Sequence, residues 1–150
     1  MTINSKKKIK GTYFPPGDKS ISHRILILTG QAVGESQISN LLEGEDVLNT
    51  LKVMKMLGAN IKRKDGKYIV FGLPPGALFE PTKSLDFGNS GTGIRLLSGI
   101  ISSNNIKAKL IGDKSLSARP MKRVTDHLKK IGAIIKLRKD SFPPISIQGV

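Results

Sequence analysis

VLNTLKVMKMLGANIKR occupies residues 47–63, and MKRVTDHLKKIGAIIKLR occupies residues 121–138. The two stretches carry the same pattern. Val47, Leu48, Leu51, Met54 and Leu57 recur at helical spacing in the first, and Val124, Leu128 and Ile131 do so in the second. Each apolar stripe runs into a glycine, Gly58 or Gly132, where a residue with left-handed backbone ends a helix. A strand follows each glycine, at Asn60–Arg63 and at Ile134–Leu137.

Outward from these stretches the parallel continues. Upstream, the pattern predicts helices from about Ser20 to Thr29 and from about Thr92 to Ile101, then strands at Glu35–Ser39 and Lys107–Ile111. Downstream, strands at Tyr68–Phe71 and Ile145–Gln148 close hairpins over turns at Asp65-Gly66 and Asp140 to Pro144. The two halves lie about 70–75 residues apart, longer than the usual solenoid periods. The reading is an α+β chain of about two repeated β-α-β-α-β-β units, with helices packed on sheets.

Composition bounds the chemistry. The 150 residues are 38% hydrophobic, enough for a folded domain with a core. Without cysteine there is no disulfide, thiolate metal site or cysteine nucleophile. Two histidines, His23 and His127, do not build an ordinary zinc site unaided. The longest apolar run, Ile25 to Leu28, is far too short to span a membrane, and no apolar stretch follows Lys6–Lys8 as a secretory signal would require. A cytoplasmic location is expected. The formal charge of +14 predicts an anionic partner: nucleic acid, an acidic surface or a phosphorylated small molecule. Much of that charge is spread over lysine-rich stretches that read as solvated faces.

Three segments carry candidate chemistry. In Pro16-Gly17-Asp18-Lys19-Ser20-Ile21-Ser22-His23-Arg24, Ser20 suits the N-cap of the coming helix, and Arg24 shares its face four residues on. Lysine, hydroxyl, arginine and open helix amides meet at one anion-attracting end. In Gly88-Asn89-Ser90-Gly91-Thr92-Gly93-Ile94-Arg95, glycines allow close backbone approach to a ligand, Thr92 suits a cap and Arg95 falls in the first turn. The segment lacks the Gly-Lys-Ser/Thr of a Walker loop. In Gly112–Arg123, Pro120 suits the first position of a helix, and Arg119 stands at its entrance with a guanidinium fit for phosphate or carboxylate. Taken singly, the first segment is equally an ordinary capped helix with solvated cations, the second is a weak signal of phosphate binding, and the third reads rather as a surface arginine on a turn. Together they suggest a site for a doubly anionic small molecule, or two of them. No pair of carboxylates is spaced for acid/base work, and Glu45-Asp46 reads as the dipole-favoured start of a helix.

PGDKSISHR at 16–24, DFGNSGTGIRL at 86–96 and GDKSLSARPMKR at 112–123 resemble the signature segments of the 5-enolpyruvylshikimate 3-phosphate synthase family, in that family's order. LLEGEDVLNT at 41–50 is similar to its bacterial branch. The resemblance extends from about Ile9 to Val150 and implies a two-domain inverted α/β barrel. Residues 1–14, with an early strand around Ile9 to Phe14, would pair with the other domain, and about 15–80 and 81–150 would form two repeats. The resemblance also implies transfer of the enolpyruvyl group from phosphoenolpyruvate to shikimate 3-phosphate, in chorismate and aromatic amino acid biosynthesis, with glyphosate as the inhibitor. By that resemblance Lys19, Ser20 and Arg24 hold shikimate 3-phosphate, while Lys19, Gly91 and Arg119 meet phosphoenolpyruvate. Lys19 is the catalytic candidate, and Asn89, Thr92 and Arg95 support the loop. No metal or redox cofactor is implied.

The family's acid/base residues lie in a second half that this sequence lacks, so the chain is expected to be an N-terminal portion, inactive alone, whose partner is the missing half. Two other readings compete. UDP-N-acetylglucosamine enolpyruvyl transferase shares the fold but usually carries asparagine after the first lysine and a loop cysteine, whereas Ser20 follows Lys19 here and cysteine is absent. A basic nucleic-acid-binding module fits the charge, but aromatics are only 5% and no stacking pattern interleaves with the cations. Neither nucleic acid nor membrane is expected as a partner.

Overall fold

Alternation sets the sheets. Along the last strand, buried Ile145 and Ile147 alternate with exposed Ser146 and Gln148, so one face meets the core and the other meets water. The computed structural model describes residues 10–150. Its first unit runs α1 (Lys19–Thr29), β1 (Gly34–Ile38), α2 (Glu45–Met56), β2 (Asn60–Lys64) and β3 (Lys67–Gly72). The second runs β4 (Leu85–Asp86), α3 (Gly91–Ser102), β5 (Lys107–Ile111), a 3-10 turn (Leu116–Ala118), α4 (Lys122–Lys130), β6 (Ile134–Arg138) and β7 (Phe142–Gln148).

The first unit forms an antiparallel sheet of order β1-β3-β2. The second forms the order β4-β5-β7-β6, in which β4 and β5 are parallel and the other pairs antiparallel. Asp65 and Gly66, both at positive φ, make the tight turn between β2 and β3, and Lys64 pairs with Lys67 across it. Gly58 and Gly132 take φ near +105°, the left-handed backbone expected of residues that end α2 and α4. One apolar cluster unites the units. Leu26, Met54 and Val70 contribute from the first, and Phe87, Leu97 and Ile145 from the second.

Several expectations are corrected. The leading strand expected around Ile9 to Phe14 does not form over Lys10–Phe14, and Ile9 and the other residues of 1–9 lie outside the described residues. A strand needs a partner for its N–H and C=O groups, and Tyr13 and Phe14 remain exposed. The N-caps are Asp18, whose carboxylate accepts from Ile21 N at 2.8 Å, and Ser90, whose hydroxyl accepts from Gly93 N at 3.1 Å. Ser20 and Thr92, the expected caps, instead lie inside the helices, each two residues past the actual cap. Pro120 lies outside α4, whose N-cap is Met121. Met121 N donates to Ser141 O at 2.7 Å, which ties that position to the β6–β7 turn. That turn begins at Lys139 and Asp140, both at positive φ, and β7 starts already at Phe142. Ile131 stays exposed, while Met121 and Thr125 are the buried residues at the start of α4.

Candidate active site

The first candidate anion-binding end is built by close approach. A Cβ on Gly17 would lie 2.1 Å from Asn40 O, so only glycine lets this turn reach the segment after β1. Asn40, itself at φ 54°, donates from Nδ2 to Pro15 O at 3.2 Å. Ser22 Oγ accepts from Leu42 N at 3.0 Å. With the turn pinned on both sides, α1 starts at Lys19, and its ammonium forms an ion pair with Asp46 in the first turn of α2. Ser20 is exposed, and its carbonyl accepts from Arg24 Nη1 at 3.1 Å, which folds the guanidinium back along the helix.

The second and third segments form one cluster. Gly88 N donates to Asp86 Oδ1 at 2.9 Å, and Gly88 O accepts from Asp113 N at 2.8 Å, joining the two loops. Gly91 is the first residue of α3 and sits between two guanidinium ends: a Cβ there would lie 2.8 Å from Arg95 Nη1 and 2.9 Å from Arg119 Nη1. Arg95 donates to Gly91 O at 2.9 Å and to Pro120 O at 3.2 Å. Arg119 donates to Asn89 Oδ1, and to Ser115 Oγ at 3.3 Å. Burial, then the charges of Arg123 and Arg119, push the Arg95 guanidinium below its ordinary value. Among the described residues ion pairs engage only Lys19 and Arg63, so Arg95, Arg119 and Arg123 crowd together without a carboxylate. Such a cluster favours an incoming anion.

The structure thus brings Asn89, Gly91, Arg95 and Arg119 together, with Thr92 half-buried in the same first turn of α3. Among the described residues no hydrogen bond or ion pair runs directly from Lys19, Ser20 or Arg24 to that cluster. The link is α2. Asp46 holds Lys19, Asn49 Nδ2 donates to Phe87 O at 3.3 Å, and Thr50 Oγ1 lies 2.8 Å from His23 Nδ1. Sequence reading missed these residues. The signal was present: polar side chains at 46, 49 and 50 lie on the face of α2 that continues through buried Val53 and Leu57. The described residues contain no cluster of acidic, histidine or cysteine side chains that could hold a metal ion, and no helix long and apolar enough to cross a membrane.

Comparison with known proteins matches this arrangement to one family. A family model described as EPSP synthase (3-phosphoshikimate 1-carboxyvinyltransferase) matches residues 3–150. The chain is 47% identical over 150 residues to the 3-phosphoshikimate 1-carboxyvinyltransferase of Parvibaculum lavamentivorans, covering 99% of this chain and 33% of that protein. It is 52% identical over 135 residues to the enzyme of that name from Sphingopyxis alaskensis, covering 89% and 30%. A solved EPSP synthase from Acinetobacter baumannii superposes with a TM-score of 0.87 at 40% identity, covering 93% of this chain and 32% of that one. The chain spans about a third of the length of the curated relatives it matches. Its α+β fold and the order of its three cationic segments agree with the family match over nearly every residue, and the chain belongs to the EPSP synthase (3-phosphoshikimate 1-carboxyvinyltransferase) family.

Proposed function

We propose that this chain supplies part of the substrate site of an enzyme that transfers the enolpyruvyl group of phosphoenolpyruvate to shikimate 3-phosphate. The observation that carries the reading is the arginine pair around Gly91, a carboxylate-free cluster at the first turn of α3. Phosphoenolpyruvate bears a phosphate and a carboxylate, and would be gripped there by Arg119, Gly91 and Lys19. Lys19, Ser20 and Arg24 at the first turn of α1 would hold shikimate 3-phosphate. Asn89 and Arg95 set the geometry: Asn89 orients Arg119, and Arg95 ties Gly91 to Pro120. Thr92 would support the same loop. Repeats over about 15–80 and 81–150 would belong to one domain, with residues 1–14 pairing with the other, in a cytoplasmic enzyme.

In the reaction the substrate hydroxyl adds to the enol carbon as the methylene carbon is protonated. A tetrahedral ketal phosphate forms, and elimination then removes a proton from the new methyl group, expels inorganic phosphate and leaves the enol ether. The fixed cations stabilise charge that shifts onto the phosphate and carboxylate, with no reorganisation at the moment of reaction. Proton transfer needs acid/base groups, and the remaining two thirds of the family's length would supply them. The ion pair with Asp46 holds Lys19 until an anion competes for it.

Phosphate release from the two substrates tests the reading. Residues 1–150 alone are expected to be silent, and mixing or co-expressing them with the remaining segment should restore turnover. Exposed apolar side chains on α1, Ile21 and Leu28, are candidates for the faces such reassembly covers. Robust turnover by residues 1–150 alone would overturn the assignment of acid/base chemistry to the remainder.

A further inference from the structure

Two parallel rungs join α1 to α2. Lys19 and His23 are spaced i, i+4 on α1, and Asp46 and Thr50 are spaced i, i+4 on α2, so each pair shares a helix face. The outer rung is the Lys19–Asp46 ion pair. The inner rung is the 2.8 Å hydrogen bond between His23 Nδ1 and Thr50 Oγ1, and both residues are fully buried. The inner rung also reaches the second anion-binding end, because Thr50 Oγ1 would lie 2.7 Å from a Cβ on Gly93, in the first turn of α3. One residue before Thr50, Asn49 Nδ2 bonds Phe87 O at the start of the Gly91 loop.

We infer that His23 is a positioning residue for the proposed transfer: through Thr50 it fixes α1 against α2 and α3, and so sets Lys19 opposite the Gly91 loop. Core packing alone does not explain the rung. A buried polar pair is costly unless bonded, and apolar side chains of the same shape would fill the space without that cost. What the bond adds is a defined register. Thr50 is also the only hydrogen-bond partner of the ring among the described residues, since Nε2 is buried without one. The groups facing the ring are Asp46 on α2 and Lys19 and Arg24 on α1; burial outweighs the pull of Asp46, and the two cations act with it, so the imidazole is held below its ordinary value. A neutral ring leaves Asp46 to Lys19. The inference rests on the enolpyruvyl-transfer reading.

The test uses the enzyme completed to the length of its relatives. Thr50→Val keeps the shape and removes the bond; Thr50→Ser keeps the hydroxyl. Misplacing a reacting group by about an ångström can cost up to about a hundredfold in rate. Thr50→Val is therefore expected to lower kcat about tenfold, with smaller changes in the two KM values, while Thr50→Ser stays within about threefold of wild type. A Thr50→Val enzyme with unchanged kcat, or a Thr50→Ser enzyme as impaired as Thr50→Val, overturns the inference. Should Thr50→Val not fold, His23→Phe, which keeps a planar ring and removes Nδ1, carries the same comparison: a fall in kcat supports the role and an unchanged kcat overturns it. A silent wild type would instead sink the functional reading. The rung is then decided by NMR of the Lys19 ammonium: loss of the Asp46 pairing in Thr50→Val but not in Thr50→Ser supports it, and pairing unaltered in both overturns it.

Discussion

Gly17 and Gly91 stand at the two helix ends proposed to bind anions, yet a methyl group added to each would meet different things. At Gly17 it would strike backbone, Asn40 O at 2.1 Å. At Gly91 it would strike the ends of two long side chains, Arg95 and Arg119. Backbone cannot step aside, whereas a guanidinium can, at the expense of its aim. The first glycine is therefore a requirement of the fold, and the second a requirement of the site. The charges differ in the same sense. At the first end Lys19 has Asp46 as partner, and at the second the arginines have only neutral acceptors among the described residues.

Gly17→Ala should break the comparison hardest. Overpacking against backbone is expected to cost about 3 kcal/mol or more of stability, read from urea denaturation of the completed enzyme; an unchanged midpoint would show that the turn relaxes freely. Lys19→Ala should leave the fold intact and act on ligands. A charge-assisted hydrogen bond is worth about 1.5–3 kcal/mol, so affinity for both substrates should fall at least about tenfold, and turnover further. Near-wild-type kinetics would remove Lys19 from the site.

Gly91→Ala sharpens the contrast. Displacing the two guanidinium ends should cost about 1–3 kcal/mol in ligand binding with little change in stability. Glyphosate, which we propose occupies the phosphoenolpyruvate position, should be weakened more than phosphoenolpyruvate itself, and inhibition curves of the two forms that coincide would refute this. The caps differ by burial. Ser90 is fully buried and Asp18 is exposed. Ser90→Ala should thus cost about 1–2 kcal/mol of stability and Asp18→Ala nearer 0.5 kcal/mol, and equal losses in thermal unfolding would count against the distinction.

The smallest expected effect is a pH dependence. The His23 value is lowered in the fold, mainly by burial. Its stabilising contribution is therefore complete above the unfolded value of about 6.5, and is lost as pH falls from there through the depressed folded value, because the unfolded chain binds the proton first. Unfolding midpoints between pH 7.5 and 5 should fall less steeply in His23→Asn than in wild type, and parallel slopes would argue against it.

Local chemistry was legible in the sequence wherever it was also sufficient. Helix periodicity and Gly58 and Gly132 placed α2, α4 and their ends, and Asp65-Gly66 placed a tight turn, because these depend on backbone preferences of adjacent residues. Motif resemblance named the family and the residues for the proposed site. The caps slipped by two residues, since serine, threonine and aspartate all suit the position and neighbouring contacts choose among them. At α4 the bond from Met121 to Ser141 accompanies a start beyond Pro120. The two-residue strand β4 had too little pattern to be seen at all.

What the sequence determined by itself was therefore the order of elements, the cationic character of three helix approaches and the family. Tertiary structure alone decided how those approaches relate. Asp46 read as a helix-start charge, and Asn49 and Thr50 carried no role, until α1 and the Phe87–Gly91 loop were seen against them. Neither a hydrogen bond between residues 27 positions apart, as in His23–Thr50, nor one spanning 38, as in Asn49–Phe87, leaves a local signature. The geometry of such a bond is set by how whole helices pack, and that depends on every side chain in the core at once.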